Sequence, residues 1–126
     1  MKREQFETLV ARAVEALPEE FREKLENIDV VVEDFPTRNQ LMESGVGKGM
    51  TLLGLYEGVP LTQRSIYYGL VPPDKITIFQ KTIEQKCSSE DEWVIRAEIQ
   101  KVVRHEIAHH FGIDDARLQE IEDGIE

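Results

Sequence analysis

The stretch VVRHEIAHHFGIDD, Val102 to Asp115, holds all three histidines of the chain: His105, His109 and His110. Just upstream, Ile95 and Ile99 continue into Val102, Val103 and Ile107 with apolar residues spaced three and four apart. That spacing predicts an amphipathic helix. SSEDEW, Ser88 to Trp93, sets Ser and Asp ahead of acidic first-turn residues, a helix-start signal that places the beginning near Glu90. Gly112 is the expected stop, directly after His110 or Phe111. One long helix over about 90–110 is therefore the element that the remainder of the chain must pack around.

His105 and His109 are four residues apart on this helix, which puts them about 40° apart around its axis and about 6 Å apart along it. Two imidazoles so placed can address one ion, as a zinc site requires. Glu106 lies between them and projects inside the apolar arc. An ionised carboxylate there is costly unless something outside the helix compensates it, because Arg104 points away and Arg96 lies on the far flank. A divalent cation with a bound water answers that need. Glu106 would then take a proton from water whose pKa zinc lowers from about 15.7 to about 7. A catalytic zinc keeps three protein ligands and one open position. Asp115, three residues past Gly112, is the expected third ligand, and Asp114 reads as a helix cap. His110 projects toward the core and reads as a packed residue, or one that supports a ligand by hydrogen bonding.

The chain has 126 residues, 40% hydrophobic and 32% charged, with a formal net charge of -10. That is the composition of one globular domain spanning 1–126, with no linker, repeat or low-complexity tract. The negative charge argues against nucleic acid and against anionic membrane surfaces as partners. Cys87 is the single cysteine and cannot form an internal disulfide; it reads as a structural thiol. The first twenty residues lack the apolar core of a signal peptide. No stretch has the run of about 18 apolar residues that a membrane span needs, so the expected location is the cytoplasm. GVGKGMT, Gly45 to Thr51, is not a phosphate loop: Met42 stands where the first glycine belongs, and Gly49 follows Lys48.

Working back to the N-terminus, Phe6, Leu9, Val10, Ala13, Val14 and Leu17 predict a first helix, and LPEEFREKLEN a short second one after Pro18 or a kinked continuation of the first. IDVVVED, TLLGLYEG and KITIFQ predict three strands. The last alternates, with Ile76 and Ile78 on one face and Thr77 and Phe79 on the other. FPTRNQLMESGVGKGM predicts a loop with one helical turn, KTIEQKC a short helix, and DDARLQEIED a closing acidic helix. Trp93, opening the long helix, reads as core or staple.

HEIAHHFGIDD matches His-Glu-x-x-His-x-x-Gly-x-x-Asp on His105, Glu106, His109, Gly112 and Asp115. The chain thereby resembles the zincin metallopeptidases. With GLYEGVPLTQRS it resembles more closely the small bacterial proteins sometimes called minimal zincins, over about residues 1–120. The resemblance implies an α+β fold, a small twisted mixed sheet packed on the long motif helix with flanking N-terminal and C-terminal helices. It implies Glu106 as general base. It also implies KITIFQ as an edge strand above the cleft, where Thr77, Ile78 and Phe79 would pair with a peptide by β-augmentation. One departure stands out: Met1, Met42 and Met50 all precede the motif, so the methionine turn of typical metzincins has no counterpart.

Arg64, Tyr67 and Tyr68, in the connection before KITIFQ, are candidates to stabilise a tetrahedral oxyanion or to support the site. The expected function is zinc-dependent hydrolysis of short or unfolded peptides. The alternatives are a zinc-holding module that binds a peptide or protein without cutting it, and a plain interaction protein whose histidines are core residues. A partner, or a second copy, could complete the missing wall of the cleft.

Overall fold

The computed structural model describes residues 1–22, 28–44, 52–57, 74–88 and 91–110, without the side chains of Glu20, His109 and His110. The elements run α1 (Arg3–Glu15), α2 (Glu19–Arg22), β1 (Ile28–Glu33), α3 (Arg38–Glu43), β2 (Gly54–Glu57), β3 (Asp74–Phe79), α4 (Gln80–Cys87) and α5 (Glu92–His110). This is the expected α+β class. The expected closing helix and the 58–73 connection lie outside the described residues.

α5 forms because its apolar residues keep to one stripe. Ile95, Ile99, Val102, Val103 and Ile107 are all buried. Asp91 stands immediately before the helix, and its carbonyl accepts from the Val94 and Ile95 N–H groups. Trp93 is not core: it is 67% exposed. Its position explains this, because two residues before Ile95 is roughly 200° around the helix, on the solvent side. α1 supplies the facing stripe through Phe6, Leu9, Val10 and Ala13. The single turn expected after Pro36 is α3, and it is held by a reciprocal cap between Thr37 and Gln40.

The sheet has the order β1-β3-β2, with β1 parallel and β2 antiparallel to β3. This corrects the expected edge position of KITIFQ. β3 is the central strand, bonded on both sides, and Thr77, Ile78 and Phe79 are each 0% exposed. An added peptide strand needs unused N–H and C=O groups along one edge, and β3 is flanked on both sides. The alternation puts Thr77 and Phe79 on the face opposite Ile76 and Ile78, and both faces are buried: Thr77 is as buried as Ile78.

Register fixes which residues share a face. Opposite Ile76 and Ile78 stand Val30 and Val32 of β1, and Tyr56 and Gly54 of β2. Ile76, Ile78 and Val32 belong to the core with α1 and α5, and Val30 and Tyr56 pack against it. α5 thus runs across the face of the sheet that carries Gly54 and Tyr56, with Glu106 at that crossing.

Candidate active site

The site is made where the second half of α5 crosses β2. Glu106 lies inside the apolar arc, as its helical position predicts, and is 7% exposed. Such a carboxylate needs a donor, and β2 provides one: the Tyr56 backbone N–H donates to Glu106 Oε2 at 2.9 Å. From the helix alone, a cation is the compensation to expect. A backbone amide contributes as well, and the amide is invisible in a list of side chains.

This bond is available because of the strand register. Phe79 N–H donates to the Leu53 carbonyl at 3.0 Å, so the odd-numbered residues Leu53, Leu55 and Glu57 turn their main-chain groups toward β3. Gly54 and Tyr56 turn theirs away. Among the described residues no strand lies on that outer side of β2, and Glu106 reaches it from α5.

Gly54 lets the two elements come this close. A Cβ on Gly54 would lie 2.6 Å from Val102 Cγ1 and 3.2 Å from Glu106 Cγ. The first distance is a clash and the second a compression, so a side chain at 54 would force Val102 to shift and press on Glu106. The mid-strand glycine of TLLGLYEG is a sequence signal for such a close approach, although the sequence reading drew no site residue from it. Tyr56 is fixed at its other end too: its phenolic O–H donates to Asp74 Oδ2 at 2.9 Å, diagonally across to β3.

His105, half-buried, is the position of α5 just before Glu106. It lines, with Glu106, Val102, Gly54 and Leu53, a groove of about 320 Å³ that extends to Lys86, Glu98 and Lys101. Lys86 and Glu98 are ion-paired at that far end. The groove therefore has an apolar floor, one imidazole and one carboxylate at one end, and charge at the other. His109 and His110 lie in the last turn of α5, which is unbroken from 105 to 110, so the backbone of the two motif histidines is one helical turn apart. Asp115, Arg64, Tyr67 and Tyr68 lie outside the described residues. Imidazoles at i and i+4 on one continuous helix fit zinc in donor type, and among the described residues no group of three metal-ligating side chains is assembled.

The model of the zincin-like metallopeptidase family matches residues 25–125 of the chain. The chain belongs to that family. No curated protein matched it. Among solved structures, a conserved hypothetical protein from Thermo thermophilus superposes with a TM-score of 0.56 at 24% identity, over 99% of this chain and 100% of the other. That likeness concerns the fold. The zincin-like chain carries its motif on a helix that touches α1, α4, β2 and β3. Among the described residues, no helix is long and apolar enough to cross a membrane.

Proposed function

We propose that this zincin-like protein is a zinc-dependent peptidase that hydrolyses short or unfolded peptides with Glu106 as general base. The observation that carries the reading is the placement of Glu106. Its carboxylate is buried, anchored on the outer edge of β2, and next to an imidazole that lines the same groove. His105, His109 and Asp115 would hold the metal. Zinc, when bound, supplies Lewis acidity, which eases deprotonation of a water and polarises a peptide carbonyl.

The chain's own groups do the rest. Glu106 takes the proton from the attacking water and passes it to the leaving amine, so one carboxylate serves as base and then as acid. The Tyr56 amide keeps the carboxylate oriented. An extended peptide would lie in the groove lined by Leu53, Val102 and His105, since β3 is bonded on both sides and the Tyr56 N–H of β2 is taken by Glu106. Arg64, Tyr67 and Tyr68 remain candidates for oxyanion support from the 58–73 connection. A partner or second copy that adds to the open cleft is part of the same proposal.

The test is a peptide pool incubated with zinc-loaded wild type and Glu106→Gln, read by mass spectrometry for new termini. We expect cleavage by wild type, and a loss of about a hundred- to ten-thousand-fold in the variant with zinc retained. Equal cleavage by both would dismiss Glu106 as the base. A second reading keeps the zinc ligands without the reaction: a zinc-holding module that binds peptide without cutting it. Tight peptide binding with no new termini would select that reading.

A further inference from the structure

We infer that Gly54 is a positioning residue for Glu106, acting with the Tyr56 amide to set the general base against the edge of β2. The inference rests on the reading of Glu106 as base and goes beyond it, because the motif itself says nothing about what holds the glutamate. Three observations carry it. A Cβ at Gly54 would meet Glu106 Cγ at 3.2 Å and Val102 Cγ1 at 2.6 Å. The Tyr56 N–H, one of the groups β2 turns away from β3, donates to Glu106 Oε2 at 2.9 Å. Tyr56 is itself held across the sheet by its O–H bond to Asp74.

The two contacts of Gly54 have separable consequences. The Val102 contact concerns packing between α5 and β2, and so stability. The Glu106 contact concerns where the carboxylate sits, and so turnover. Glu106 Cγ is the second carbon of the side chain, close to the helix backbone, so it cannot swing away as a chain end would. A methyl group at 54 moves it by a few tenths of an ångström, along with the oxygen that the Tyr56 amide holds. A displacement of that kind lowers the chemical step more than it lowers peptide binding.

The experiment compares wild type, Gly54→Ala, Val102→Ala and the double variant Gly54→Ala/Val102→Ala. It measures melting temperature, zinc content, kcat, KM and the hydrogen exchange of the Tyr56 amide. Gly54→Ala should lose both stability and turnover. The double variant has room for the new methyl group against residue 102, so its melting temperature should return to within a few degrees of Val102→Ala. Its kcat should stay about ten- to a hundredfold below wild type, with KM and zinc content little changed. A double variant with wild-type kcat would show Gly54 to be a packing residue only and overturn the inference. Hydrogen exchange supplies a readout that needs neither metal nor activity. The double variant should exchange the Tyr56 amide at least about threefold faster than Val102→Ala, because the methyl group at 54 displaces its Glu106 acceptor. Unchanged exchange would also overturn the inference. Absence of any turnover in wild type would instead count against the peptidase reading, with exchange left to decide the role of Gly54.

Discussion

Glu106 and Cys87 show how far neighbours decide what a side chain can do. Glu106 is held by a main-chain donor across from it, and no reading of the helix alone would name that donor. Cys87 ends α4 half-buried against the core. Burial pushes its thiol up from the usual value, the Glu98 carboxylate pushes it further, and Lys86 pulls it partly back. The charged form is the one disfavoured, so less thiolate is present near neutral pH than in a free cysteine. Cys87 should therefore react with iodoacetamide more slowly than free cysteine at about pH 7–8, with the rate still climbing above about pH 9. Glu98→Gln removes a charge that opposes the thiolate, so it should speed the reaction. Alkylation of wild type at or above the free-cysteine rate would contradict this account.

At the scale of the element, α5 is both the structural axis and the carrier of the motif. Ile99 is 0% exposed at the middle of its buried stripe. Ile99→Ala should destabilise the fold by about 2–5 kcal/mol in urea unfolding, and a loss below about 1 kcal/mol would mean that the stripe is not the core. Much of this element was legible beforehand. Its apolar stripe, the inward placement of Glu106 and the location of the three strands follow from local spacing, which sequence records directly. The edge assignment of KITIFQ failed because strand order is set by non-local pairing. That assignment came with the family resemblance, and β3 is bonded on both sides. Trp93 was misread for a different reason: a large aromatic residue at a helix start invites a packing role, but the helical angle from Ile95 puts it in solvent. The roles of Gly54 and Tyr56 were the hardest to see, because one is an absent side chain and the other a backbone group.

Across the whole molecule, the layers are tied at the end opposite the histidines by Arg3. Its guanidinium donates to the Val32 carbonyl at 2.7 Å, to Gln80 Oε1 at 2.8 Å and to Asp34. One residue of α1 thus joins the end of β1 to the start of α4. The side chain is 38% exposed, so solvent screens its charge. Arg3→Ala should cost about 1–2 kcal/mol by denaturant unfolding. Lysine should recover only part of that, since an ammonium cannot span three acceptors with the geometry of a planar fork. Full recovery by lysine would reduce the role of Arg3 to charge alone. This clamp and the α1–α5 contact hold the sheet against α5, so the groove beside Glu106 has a fixed floor.

On the proposed reading, α5 gathers a zinc ligand and a base at one crossing, each with its own task. Elemental analysis of protein purified without a histidine tag tests that most directly. Wild type should carry about one zinc per chain, and Glu106→Gln the same, while His105→Ala should carry little. Zinc absent from wild type, or retained in full by His105→Ala, would contradict it.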